Sequence, residues 1–189
     1  SRVAAVDTHT RLATHQVDQA VRVHCQVNVL HGAEEQELNV MYALWVNKYV
    51  NYLQDKQALD ELKEEILETV KSQRNKPEIK AWHLGNTVWH SLGQSFSKPE
   101  LYYQREAYLN WLKTVVSGIK ELDPERPVSI ELKQDPYIRQ VAAELKAKVP
   151  QLDAVGIVLD EGAVDFTFVH KLKNLSLPAF ISRMPAQGP

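Results

Sequence analysis

Ala81-Trp82-His83-Leu84-Gly85-Asn86-Thr87, followed by Val88-Trp89-His90, decides how this chain folds. The run from residue 79 to 85 is short and mostly apolar, and it stops at a Gly-Asn pair. A run of that length bounded by turn residues reads as a buried strand rather than a helix. Strands without a clean polar alternation are expected where both faces of a sheet are covered.

Strand and helix signals alternate on both sides of it. Residues 2–8 and 21–30 read as strands, and residues 12–20 as a short helix between them. Residues 38–53 carry Val40, Met41, Tyr42, Leu44, Trp45, Tyr49 and Tyr52 at roughly helical spacing, which predicts a helix or a loop carrying one. Residues 58–74 are the clearest helix. Leu59, Leu62, Ile66, Leu67 and Val70 fall on one stripe, and Asp60, Glu61, Lys63, Glu64, Glu68 and Lys71 face water.

Beyond the quoted strand, residues 99–122 predict a long helix. Asp123-Pro124-Glu125-Arg126-Pro127 then forms a stiff turn, because two prolines fix φ and stop the helix. Residues 128–132, 154–159 and 178–182 read as further strands, with helices over 137–148 and 166–173. Six strands joined by helices predict one α/β domain over residues 1–189 with a parallel sheet.

Composition narrows the function classes. The chain has 189 residues, 44% apolar and 24% charged, and a net charge of −2. Nucleic-acid binding needs clustered Lys and Arg, and there is no basic run, so no nucleic-acid partner is expected. No apolar run approaches the roughly 20 residues that span a bilayer, so no membrane insertion is expected. Cys25 is the only cysteine and lies in an apolar-polar alternation, which predicts a packed strand residue. The seven histidines show no zinc-site spacing, so neither metal nor cofactor is expected.

Four fragments together carry a resemblance. Asn75-Lys76-Pro77-Glu78-Ile79-Lys80-Ala81-Trp82-His83-Leu84-Gly85-Asn86 resembles the run into the fourth strand of the (β/α)8 catalytic barrels of glycoside hydrolases. Ile119-Lys120-Glu121-Leu122-Asp123-Pro124-Glu125-Arg126-Pro127-Val128 resembles the approach to the fifth. Leu152-Asp153-Ala154-Val155-Gly156-Ile157 is similar to the sixth, and Leu177-Pro178-Ala179-Phe180-Ile181-Ser182 to the seventh. The nearest likeness is to family 2, the β-galactosidases and β-glucuronidases, and to cellulase-like barrels. It covers residues 58–189.

The resemblance implies a TIM-barrel fold, here incomplete: a full barrel takes about 250 residues and eight strands. It also places two departures. The acid/base Glu of the family corresponds to Thr87, and its nucleophilic Glu to Arg183. Retaining glycosidases need two carboxyl groups about 5–5.5 Å apart. A Thr hydroxyl is no acid near neutral pH, and Arg is permanently cationic. The expected function is therefore a catalytically degenerate glycosidase-like domain that binds a glycan or serves as a sensor or scaffold. An active hydrolase with displaced carboxylates (Glu131, Asp160, Glu161) is the alternative, and a purely structural or oligomerising domain the second.

The ligand-facing set follows from the strand ends, because barrel sites sit at the C-terminal face. Asn86 is expected to meet a sugar hydroxyl. Trp82, His83, Trp89 and His90 cluster in sequence around it, with core packing the competing role for the tryptophans. Asp160 and Glu161 follow the sixth strand, where a solvated loop pair competes with a ligand site, and Arg183 and Thr87 complete the set. Asp7 and His9 are weaker candidates. The partners expected are a carbohydrate and, to cover open sheet edges, a second copy or other domains. Family analogy points to an extracytoplasmic location.

Overall fold

A computed structural model describes residues 39–44, 46, 50–159 and 166–183. Nearly all belong to one compact unit that begins at Met41. The strands expected over 2–8 and 21–30, together with Asp7, His9 and Cys25, lie outside the described residues.

The elements run β1 (Val40–Leu44), α1 (Lys56–Gln73), β2 (Ile79–Leu84), α2 (Val88–Ser95), α3 (Lys98–Leu122), β3 (Val128–Lys133), α4 (Ile138–Lys148), β4 (Ala154–Val158), α5 (Phe166–Leu172) and β5 (Ala179–Arg183). The strands form one sheet in the order β1-β2-β3-β4-β5, and β2 through β5 pair in parallel. Each strand lies beside its successor, with helix between β2 and β3, β3 and β4, and β4 and β5. A doubly wound sheet reverses its strand order partway, and this one does not. Sequential winding without a switch point is the wall of a TIM barrel.

The helices are held by their apolar stripes. Leu59, Leu62, Ile66 and Val70 of α1 are buried, as are Tyr108, Leu109, Leu112, Val115, Val116 and Ile119 of α3. The two helices pack closely at Gly118, where a Cβ would stand 2.9 Å from Leu67 Cδ2. At the entrance to the sheet one side chain gathers the chain ends. Arg126 donates to the carbonyls of Arg74, Lys76 and Ile79 and pairs with Asp123 at 2.6 Å. Asp123 in turn accepts from Trp82 Nε1 at 2.9 Å. Pro124 and Pro127 stiffen the turn that holds Arg126 in place.

The structure differs from the sequence expectations at two points. Residues 40–44 are a strand, because Tyr42 and Leu44 alternate inward while Met41 and Ala43 stay exposed. A helix, α2, starts immediately after the Asn86-Thr87 corner, where none was expected. β3 is buried on both faces from Val128 to Leu132. Val128, Ile130 and Leu132 take one face, and Ser129 and Glu131 take the other although both are buried.

Candidate functional site

β2 ends in a sharp corner. Asn86 and Thr87 have φ of 91° and 46°, the only positive values among described non-glycine residues. A β-branched residue in this region is strained, at roughly 1–3 kcal/mol, and survives only where its surroundings hold it. Here they do. The Thr87 carbonyl accepts from the amides of His90 and Ser91, opening α2. The Asn86 amide donates to Glu131 Oε2 at 2.9 Å, and its side-chain Nδ2 donates to the Val46 carbonyl at 2.8 Å. Asn86 thus ties β2, β3 and the segment after β1 together at the C-terminal end of the sheet.

Below this corner lies a polar floor on the inner face. His83 Nδ1 is 2.8 Å from Ser129 Oγ, its opposite number in the register. His83 Nε2 stands 3.9 Å from Glu131 Oε1, too far for a hydrogen bond. The Ser129 hydroxyl also donates to the Trp82 carbonyl at 3.3 Å, so it links β3 to β2 twice. His83 Nε2 and Ser182 Oγ are both buried and have no hydrogen-bond partner among the described residues. The His83 ring tilts against Phe180 at 5.7 Å. Gly156 makes this convergence fit. A Cβ there would stand 2.8 Å from His83 Cε1, 2.9 Å from Ser182 Cβ and 3.0 Å from Phe180 Cζ.

Beside the corner, His90 forms a clasp. Its Nδ1 accepts from the Lys133 amide at 3.3 Å, and its Nε2 donates to Asp135 at 3.1 Å. Burial lowers its pKa below the usual histidine value. Asp135 opposes that shift, and the charges of Arg105 and Lys133 add to it. For both tryptophans the structure takes the core role that competed with a place at the ligand. Trp82 is fully buried with its indole on Asp123. Trp89 is buried beneath the Arg105 guanidinium, 4.3 Å above its ring.

Of the expected residues, the structure therefore brings Asn86, His83 and Glu131 together, with Thr87 next to them as the buried hinge of the corner. His90 is separately anchored to Asp135. Arg183 ends β5 opposite Val158, next to a register irregularity. Asp160 and Glu161 lie outside the described residues. Ser129, Ser182, Asp135 and Arg105 were missed. The period-2 pattern Val128-Ser129-Ile130-Glu131-Leu132 carried a signal for Ser129, since a Ser flanked by buried apolar residues faces the other side. Among the described residues no group of three or more His, Cys, Asp or Glu side chains is placed to hold a metal ion, and none of their helices is long and apolar enough to cross a membrane.

Comparisons with known proteins agree with the fold. No curated protein matches the chain. Among solved structures it is similar to xylanase 10B from Thermotoga petrophila RKU-1, crystallised with xylobiose. The TM-score is 0.56 at 19% identity, over 85% of this chain and 55% of the xylanase. The chain thus spans about half the length of that structure, and the likeness is one of fold. The model of the glycosyl hydrolase family 2 TIM barrel domain matches residues 6–161, which include Asn86, Thr87 and Glu131. The chain belongs to the glycosyl hydrolases family 2 TIM barrel domain family.

Proposed function

We propose that this domain binds a carbohydrate at the C-terminal end of its sheet without hydrolysing it. One observation carries the reading: Glu131 is the only acidic residue on the five described strands. Glycoside hydrolysis by the retaining route takes two carboxyl groups on opposite sides of the scissile bond. Here the residue after Asn86 is Thr87, whose backbone is committed to opening α2. β5 ends in Arg183, a cation where a nucleophile would be needed.

What remains suits binding. Asn86 keeps its side-chain oxygen after donating to Val46, and Glu131, His83 and Ser182 supply acceptors and donors below it. Sugar hydroxyls both donate and accept, so a mixed set of this kind matches them. By the same family analogy, the domain meets its glycan outside the cytoplasm, within a larger assembly.

Calorimetric titration with xylo- and cello-oligosaccharides, run beside an assay with nitrophenyl glycosides, tests the proposal. Saturable binding is expected without nitrophenol release, with affinity lowered about tenfold in Asn86→Ala, the size of one good hydrogen bond to a polar ligand. Turnover that disappears in Glu131→Gln would instead establish an active hydrolase with displaced carboxylates. Silence in both assays would leave the domain a scaffold.

A further inference from the structure

We propose a second carbohydrate-binding site, on the outside of the barrel wall between α3 and α4. It rests on the carbohydrate reading of the domain but on different residues from the mouth. Lys98, Leu101, Tyr102, Arg105, Glu106 and Glu144 line a groove of about 220 Å³ there. That is smaller than the roughly 300–1,000 Å³ of sites that enclose a small molecule, and it suits one ring of a chain laid across the surface.

Three features select a sugar. Tyr102 and Tyr103 are 64% and 61% exposed, although they sit on a long helix whose opposite face is packed. Their rings meet edge to face at 5.4 Å, so each braces the other in a defined orientation. An exposed aromatic face is electron-rich and attracts the C–H-bearing face of a pyranose.

Second, Arg105 is poised but unspent. Its guanidinium lies over Trp89 at 4.3 Å, which fixes it in place, yet its buried Nε has no hydrogen-bond partner. It makes no ion pair with Glu144, although both line the groove and each feels the other's charge. A donor and an acceptor held on one groove without neutralising each other match adjacent hydroxyls of one ring.

Third, Glu106 is bound to Lys148 at 2.8 Å, a bridge from α3 to α4 beside Tyr102. This removes one negative charge from the groove and closes its end, leaving Glu144 as the free acceptor. The balance of Lys98 and Arg105 against Glu144 tolerates a neutral or a uronic sugar and disfavours a strongly cationic partner.

NMR titration of the whole chain with xylohexaose, cellohexaose and a hexagalacturonate tests the site, reading the Tyr102 and Tyr103 ring signals and the amide of Asn86. At least one hexasaccharide is expected to move the tyrosine signals with a Kd raised about tenfold or more in Tyr102→Ala, the scale of one lost stacking contact. Arg105→Lys should weaken it severalfold, and Asn86→Ala should leave it unchanged. Tyrosine signals unmoved by all three probes, or an affinity indifferent to Tyr102→Ala, would overturn the proposal. So would a dimer in sedimentation that Tyr102→Ala dissolves, because the tyrosines would then serve a second copy. If the Asn86 amide moves and the tyrosines do not, this inference fails while the mouth reading stands. If the tyrosines alone respond, the reverse holds.

Discussion

Gly156→Ala tests whether the inner face is packed as described. The added methyl would meet three groups at once: His83 Cε1 at 2.8 Å, Ser182 Cβ at 2.9 Å and Phe180 Cζ at 3.0 Å. They differ in how far they can retreat. Phe180 Cζ is the tip of a ring that can swing. His83 is pinned through Nδ1 to Ser129 at 2.8 Å. Ser182 Cβ moves only with the backbone of β5, which is paired to β4 through Gly156 opposite Phe180. Overpacking of this kind costs about 1–3 kcal/mol. For a chain of this size each kcal/mol lowers Tm by roughly 2–4 °C, so a fall of about 2–12 °C is expected. Gly85→Ala is the matched control. Its nearest neighbour would be the Leu44 carbonyl at 3.9 Å, and its φ lies outside the left-handed region. There the loss of chain entropy in the unfolded state should give a gain of up to about 1 kcal/mol. Urea unfolding with unchanged m-values measures both. A Gly156→Ala protein as stable as the parent would refute the convergence of β2, β4 and β5 on one floor.

Other outcomes follow from the same contacts. Arg126→Met removes the partner of the buried Asp123 carboxylate along with three carbonyl contacts, and should cost about 3–5 kcal/mol in urea unfolding. Trp82→Phe keeps most of the core volume but deletes the donor to Asp123, and should cost about 1.5–3 kcal/mol by the same measurement. His90 has a folded-state pKa below its unfolded value, so the unfolded chain takes up a proton first as pH falls. Stability contributed at neutral pH is therefore lost as pH drops below the unfolded value of about 6.5, and the loss ends at the folded pKa. NMR titration should show the His90 midpoint below that value, and His90→Gln should flatten the pH dependence of Tm in that window.

The sequence was most legible where physical constraints act locally. The stripe of Leu59, Leu62, Ile66 and Val70 announces α1, and the proline-flanked turn at 123–127 announces the approach to β3. β1 was hidden because Val40, Met41, Tyr42, Ala43 and Leu44 are all apolar, so alternation leaves no polar trace. α2 was hidden because it has only eight residues, with Val88, Trp89 and Leu92 as its short buried stripe. At the site, the Gly85-Asn86 corner and Glu131 were readable from their place at strand ends. Their pairing was not, since the Asn86 amide and the Glu131 carboxylate are 45 residues apart and meet only across the sheet. Arg105 was invisible for the same reason: nothing in a helix sequence says which tryptophan its guanidinium will cover.

The Arg126 cluster has a consequence for how such a domain changes over time. It fastens the lower rim, where the chain enters β2 and β3, using Asp123, Trp82 and the carbonyls of residues 74, 76 and 79. At the other end of β2 the bonds of Asn86 run instead to Glu131 and Val46. Because the fastening is at one rim and the Asn86-Thr87 corner is at the other, a substitution at the corner leaves these bonds in place. The two rims are held by separate sets of bonds in one sheet, so residues at the C-terminal end can vary while the rim at the other end assembles in the same way.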